Sequence, residues 1–384
     1  MDKTQPVKVL HIASGDLWAG AEVQLFTLAS ALRKHTQTIV YILLLNHGKL
    51  EQKLRDTGIN VTVIDEASLN SMQILRQMIK TVRAIQPDII HTHRLKENIL
   101  GSIAAWRCGH IPSLRTQHGA AEHPAAVYKL HKHIIFFLDW LCGRYYQRYI
   151  IAVAADLAEK LARKYPESHI KTIENGIDTD ALPATTSANN ETSKRHYRVG
   201  IAGRLAPVKR VDLFIQAALC LQQHPELSVD FYIYGDGPLS NSLQQQVTAA
   251  SADDYIHFEG HCDAMATALQ TLDILLMTSD HEGLPMILLE AMCLKTAIIA
   301  HAVGGIPHLL DQGKCGILIH ENQPKTFAKA IQQLITHPQQ NQKLTQHAFD
   351  RVKQHYSSRQ TAENYQRLYN QLVKISTSNE YSTD

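Results

Sequence analysis

The sequence predicts an α/β protein made of two doubly wound parallel sheets facing a central cleft. Three observations predict it. At 384 residues the chain exceeds one ordinary core, so two domains are expected. Short apolar runs alternate with amphipathic stretches from the first residues onward, as strand–helix–strand repetition requires. The alternation halts in a polar, aperiodic stretch and then begins again.

In the first unit, strands are expected at residues 7–13, 38–45, 61–64, 89–92, 113–117, 150–154 and 171–174. Helical patterns fall between them at 22–34, 73–84 and 98–108. Residues 182–194 read LPATTSANNETSK, a linker between domains or a surface loop within one. Strands resume at 198–202, 230–234, 255–258, 274–278, 297–301 and 316–319, with helices at 211–223, 240–248, 285–293 and 326–337. An amphipathic tail, 342–375, carries no strand signal. The division expected is therefore 1–181, a linker at 182–195, a second domain at 196–355, and a helix within 356–384 packing back on the first domain. Ligands of open parallel sheets bind beyond the carboxyl ends of the strands. The loops to watch are 14–22, 93–98 and 117–121, then 203–210, 235–238, 279–285 and 302–307.

Composition excludes several classes. Lys and Arg total 38 against 36 Asp and Glu, a formal charge of +2. A nucleic-acid partner would call for a stronger positive field. The cysteines Cys108, Cys142, Cys220, Cys262, Cys293 and Cys315 form no C-x-x-C pair, which fits a reducing cytoplasm better than a disulfide framework. No signal-peptide pattern opens the sequence. The longest apolar run, near residues 134–138, is far below the roughly 20 residues that span a bilayer. Among 22 histidines, His91 and His93, like His131 and His133, stand two apart rather than at HExxH spacing. They read as solvated or core histidines, and no metal site is expected.

Two loops carry chemistry. Gly203-Arg204-Leu205-Ala206-Pro207-Val208-Lys209 follows a strand: Gly203 permits a close turn, Arg204 offers a donor fork, and Lys209 a mobile charge. Together they suit a diphosphate; the plainer reading is an ordinary basic loop. Residues 279–290, SDHEGLPMILLE, also follow a strand. Pro285 suits the first position of a helix, with Glu282 in the loop before it and Glu290 inside it. If wholly helical, that stretch separates the glutamates by about 12 Å, too far for an acid–base pair on one bond. They are better placed to accept hydrogen bonds from two separate sets of hydroxyls. The plainer reading makes Glu282 a helix-start charge and Glu290 a solvated face residue, although its apolar neighbours argue against that. Ser14-Gly15-Asp16-Leu17-Trp18-Ala19-Gly20 matches neither G-x-G-x-x-G nor a P-loop. Residues 128–150 mix basic and aromatic side chains. They read as a helix lying on anionic lipid or, the slightly favoured reading, as a core helix with a solvated basic face. Exposure of Phe136, Phe137 and Trp140 decides between the two.

The set GRLxxxK, EGLPMILLEAM and Gly304-Gly305-Ile306-Pro307 resembles the retaining family 4 glycosyltransferases, of the two-Rossmann-domain GT-B type. So do Ala19-Gly20-Ala21-Glu22, Asn175-Gly176-Ile177-Asp178 and Gly235-Asp236-Gly237-Pro238, in order along nearly the whole chain. The resemblance implies that Arg204 and Lys209 bind the diphosphate of a nucleotide-sugar donor, most simply UDP-linked. Glu282 would hold hydroxyls of the transferred sugar and Glu290 the ribose. Gly203, Gly235 and the backbone of Gly283, Leu284, Pro285, Met286 and Ile287 would line the donor, and Gly20 would approach the diphosphate. His118 matches a histidine near the reacting sugar; its plainer reading is a structural strand-end histidine. The resemblance further implies a glycan or lipid-linked acceptor held by the first domain, peripheral contact with the inner face of the cytoplasmic membrane, and bacterial envelope glycan assembly. Neither a cofactor nor a metal is implied. Departures are one glycine where the family often has two, at Trp18-Ala19-Gly20, and Asp156 where many members have serine. A nucleotide-sugar epimerase on the same fold, or a catalytically degenerate sugar-nucleotide-binding protein, are the competing readings.

Overall fold

The computed structural model describes residues 5–16, 18–119, 130–182, 196–222, 224 and 226–380, without the side chains of 130–132 and 376–380. The chain forms two compact units, 1–176 with 358–384, and 177–357. It passes between them at Gly176–Ile177, ahead of the 181 boundary expected from sequence. Ile177 already bridges to Ser357 within the second unit. Of the expected linker, 183–195 lie outside the described residues, as do residues 120–121 of the third expected loop and Tyr128 and Lys129.

The first unit runs β1 (Lys8–Ala13), α1 (Gly20–His35), β2 (Ile39–Leu44), α2 (Lys49–Asp56), β3 (Asn60–Val63), α3 (Ser71–Ile85), β4 (Ile89–Thr92), α4 (Leu95–Arg107), β5 (Ser113–Gln117), α5 (Leu130–Leu141), β6 (Tyr149–Ala152), α6 (Ala155–Ala162) and β7 (Ile170–Thr172). Its seven strands lie in the order β3-β2-β1-β4-β5-β6-β7, every pairing parallel. The second unit runs β8 (Tyr197–Ala202), α7 (Val211–Leu221), β9 (Val229–Tyr234), α8 (Ser240–Ala249), β10 (Ile256–Gly260), α9 (Met265–Thr271), β11 (Ile274–Met277), α10 (Met286–Leu294), β12 (Ala297–His301), α11 (Ile306–Leu309), β13 (Ile317–Ile319), α12 (Pro324–Thr336) and α13 (Pro338–His355). Its order is β10-β9-β8-β11-β12-β13, again all parallel. The strands are buried apolar runs, as sheets covered on both faces demand. In each sheet the order reverses beside the first strand, between β1 and β4 and between β8 and β11. Open sheets bind ligands at that point.

The amphipathic tail resolves into α13 and a last helix, α14 (Ser358–Glu380). α14 belongs to the first unit. Its Tyr365, Leu368, Tyr369 and Leu372 sit in the same apolar cluster as Leu25, Leu28 and Leu32 of α1. Four short helices, α2, α6, α9 and α11, escaped the sequence pattern. α2 buries only Leu50 and Leu54 among charged neighbours, too few turns to show a period.

The core reading of residues 128–150 fails for the apolar part of α5. Ile134, Ile135, Phe136, Phe137 and Leu138 are all exposed, Phe137 by 57%. Five consecutive helical residues point in every direction around the axis. The helix is nevertheless firmly rooted at its carboxyl end. Asp139 Oδ1 accepts from Nη1 of the buried Arg115 at 2.8 Å and from Asn98 Nδ2 at 3.0 Å, and the Trp140 indole donates to the Lys164 carbonyl. A π-helical turn, Cys142–Tyr146, then leads to β6. Among the described residues, no helix is long and apolar enough to cross a membrane.

Candidate functional site

In the second unit, the loops after β8, β9, β11 and β12 interlock through glycines. Gly235 adopts φ +129, and a Cβ there would stand 1.9 Å from the Gly203 carbonyl oxygen. Gly304 adopts φ +59, and its Cβ would stand 1.9 Å from the Glu282 carbonyl oxygen. Neither position accepts a side chain, so the loops lie backbone against backbone. Hydrogen bonds lock them: Gly203 N–H to the Tyr234 carbonyl, Leu205 N–H to Asp236, and Gly305 N–H to Gly283. The sequence held the Gly304 signal, but not its use as the support beneath Glu282.

This packing brings together the two strongest charges predicted. Lys209 Nζ donates to Glu282 Oε1 at 2.6 Å, with Glu282 only 10% exposed. The loop beneath is held by Thr278, whose hydroxyl donates to the Lys209 and Arg210 carbonyls, and by Asp280 N–H on the Val208 carbonyl. Arg210, in a left-handed turn at φ 48, ion-pairs with Asp212 and Asp280. Gly203, Lys209, Tyr234, Met277 and Ser279 line a small hollow at the carboxyl ends of β8, β9 and β11. Arg204 lies exposed on the same loop.

Pro285 caps α10 from outside with ψ 122, and the helix begins at Met286, one residue later than predicted. No side chain caps it, so its first amides stay open to an anion. Gly283, Leu284, Pro285 and Met286 are buried, and Ile287 is partly so. Glu290 lies about one turn in, and burial pushes its carboxyl up to about 7. That is not the behaviour of a solvated face residue.

In the first unit, Gly20 opens α1, and a Cβ there would meet no atom within 4 Å. No neighbouring protein atom therefore demands a glycine. His118, itself half-buried, follows β5 and ends a chain of histidines that the sequence reading missed, because its members come from three separate strands. His11 Nδ1 lies 3.0 Å from His93 Nε2, and His93 Nδ1 lies 3.2 Å from His118 Nε2. His91 is bound at both nitrogens, to the Tyr369 hydroxyl at 2.8 Å and to Thr116 Oγ1 at 2.7 Å. Burial drives all four imidazoles toward the neutral form, His11 to about 3 and His118 to about 4. Beside them Arg94 pairs with the buried Glu22 and with Asp16.

Comparison with known proteins accords with this layout. Residues 18–181 match the family described as Glycosyltransferase Family 4, and residues 196–337 match Glycosyl transferases group 1. A D-inositol 3-phosphate glycosyltransferase of Streptomyces coelicolor is 24% identical over 292 residues, 65% of this chain and 62% of that protein. A poly(ribitol-phosphate) alpha-N-acetylglucosaminyltransferase of Staphylococcus aureus is 24% identical over 45% of this chain and 35% of its own length. The chain thus spans less than two thirds of either. A UDP-Gal:alpha-D-GlcNAc-diphosphoundecaprenol alpha-1,3-galactosyltransferase of Escherichia coli is 25% identical over 68% of this chain and 70% of its own. Among solved structures, HepE of Anabaena with UDP-glucose superposes with a TM-score of 0.80 at 20% identity, covering 97% and 99% of the two chains. S. aureus TarM does so with a TM-score of 0.75 at 13% identity, covering 95% and 100%. At such identities the likeness establishes the fold, two parallel-sheet α/β domains of the GT-B type.

Proposed function

Because the chain belongs to the family 4 and group 1 glycosyltransferases, we propose that it moves a hexose-type sugar from a UDP-linked donor to a glycan or lipid-linked acceptor with retention of configuration. The observation that carries this reading is the Lys209–Glu282 pair, 2.6 Å apart and resting on the Gly304 turn. The diphosphate would take the Lys209 ammonium, with Arg204 and the open amides of α10 adding charge. Glu282, released from Lys209, would accept from hydroxyls of the sugar, and Glu290 from the ribose. These groups meet the negative charge developing on the departing diphosphate, which is where a transferase lowers its barrier. Among the described residues no carboxylate is placed as a nucleophile, so we read the substitution as same-face and dissociative, with the leaving phosphate helping to take the acceptor's proton. The reaction then proceeds without a divalent metal.

The acceptor half rests on α5. A helix apolar all round and left exposed is suited to lipid, and the E. coli relative is named for an undecaprenol-linked acceptor. We place the protein on the inner face of the cytoplasmic membrane, in bacterial envelope glycan assembly. The test is a thermal-shift panel of nucleotide-sugars, followed by transfer assays in EDTA with anomeric analysis of the product. Lys209→Ala should slow transfer at least about tenfold. Full activity in that variant removes the diphosphate role. Conversion of the donor alone to an altered sugar would mark an epimerase instead.

A further inference from the structure

We propose that His93 and His11 are positioning residues, a hydrogen-bonded relay that fixes His118 as the Nδ1–H tautomer and leaves it a hydrogen-bond donor beyond the carboxyl end of β5. The inference rests on the transferase reading only for where His118 acts. The relay itself stands on geometry. Its links, His11 Nδ1 to His93 Nε2 at 3.0 Å and His93 Nδ1 to His118 Nε2 at 3.2 Å, join three neutral rings end to end. Each neutral imidazole has one N–H and one lone pair, so choosing one ring's tautomer chooses them all.

The far end makes the choice. His11 Nε2 is fully buried and has no hydrogen-bond partner among the described residues. If that nitrogen carried the proton, a donor would be stranded in the core, which folded proteins avoid more strictly than a stranded lone pair. The proton therefore sits on His11 Nδ1 and is donated to His93 Nε2. His93 Nδ1–H then donates to His118 Nε2, and the proton of His118 is left on Nδ1. That nitrogen makes no hydrogen bond among the described residues. His118 cannot act as a base through Nδ1. It can donate to an oxygen of a ligand held beyond the carboxyl end of β5.

His91 steadies the relay without joining it. It stacks on His93 at 4.5 Å between ring centroids and is tied to Tyr369 and Thr116, the latter also bound to Tyr365. A metal fits this cluster poorly, although ring nitrogens of His11, His91 and His93 lie within 4.8 Å of one another. His11 and His93 lie nearly coplanar, 20° apart, with Nδ1 and Nε2 facing each other at 3.0 Å, which leaves no room for an ion between them, and both nitrogens of His91 are already taken by Tyr369 and Thr116.

The test is side-chain ¹⁵N NMR of histidine-labelled protein at pH 7. His118 should show protonated Nδ1 and unprotonated Nε2. His93→Leu should collapse that into a tautomer mixture and lower kcat at least about tenfold, with donor affinity little changed. His93→Gln, whose amide can donate to one neighbour and accept from the other, should restore the tautomer and most of the rate. Should His93→Leu not fold, His93→Phe, nearer in shape to the imidazole, cuts the same link and should mix the tautomers likewise. An Nε2-protonated His118 in the parent protein, or a His118 signal unmoved in both variants, overturns the relay. So does one equivalent of Zn²⁺ shifting the His11, His91 and His93 signals together. None of these readings needs substrate, so failure of the transferase proposal would leave the relay standing.

Discussion

Glu290, half-buried on the otherwise apolar α10, holds a proton near neutrality, with desolvation its one identified cause. A carboxyl raised from 4.5 to about 7 favours the folded state at low pH and withdraws that support as pH rises through 7. Two ribose hydroxyls donating to it would favour the ionised form and pull its pKa back down. Donor nucleotide binding at pH 6.5 should therefore release part of a proton. Calorimetry of UDP in buffers of differing ionisation enthalpy reads this directly. The release should vanish in Glu290→Gln, and an unchanged value there removes the ribose role. The residue types of the donor site were legible from the first, since glycine, arginine, lysine and glutamate at those spacings admit few uses. The state of Glu290 was not, because a pKa depends on what the fold packs around a carboxyl. The same holds for Lys209 and Glu282: sequence gave each a separate ligand group, and only the fold shows them holding each other.

At the scale of elements, the site depends on loops that touch backbone to backbone. Gly304→Ala must move the Glu282 carbonyl by ångströms or abandon the turn, a cost of roughly 1–3 kcal/mol. The expected result is a lowered thermal midpoint together with weakened donor turnover. A stable variant with normal kinetics would show that the turn does not support Glu282. α5 poses the opposite case, an element anchored at one end and unsatisfied at the other. Arg115 and Asp139 fix its root, while Phe136 and Phe137 meet solvent. Replacing both phenylalanines by serine should abolish sedimentation with anionic lipid vesicles and leave the thermal midpoint nearly unchanged. A lost fold, or undiminished vesicle binding, would sink the lipid reading. Sequence favoured a core helix here for a physical reason: a run apolar on every side normally marks burial. Strands, by contrast, were legible to within a residue or two, because runs covered on both faces leave little ambiguity.

For the molecule as a whole, acid is expected to act first on the unit made of residues 1–176 and 358–384. Its histidines His11, His91, His93 and His118 bind protons in the unfolded chain below pH 6.5 but not in the fold, so the stability they support is present above 6.5 and lost as pH falls. Glu22 and Glu97, raised by burial, act with the opposite sign, leaving a net of up to two protons. Each net proton is worth about 1.4 kcal/mol per pH unit. Trp18, Trp106 and Trp140 are the only tryptophans and all lie in this unit, so their fluorescence follows it alone. Urea midpoints read this way should rise between pH 5 and 6.5; midpoints that fall or stay flat would contradict the buried neutral histidines. The two-sheet architecture was legible from the restart of the strand–helix alternation. The convergence of His11, His91, His93 and His118 was not, since no local pattern links positions 107 residues apart at the extremes. One more consequence follows from α14. Tyr365 and Tyr369 complete the wall of the first sheet, yet they are made only after residues 177–357. The first unit is therefore closed only after the second has been made. A nascent chain carries its opening sheet with an apolar flank uncovered while residues 177–357 are made and packed. During synthesis that flank is what chaperones would have to shield.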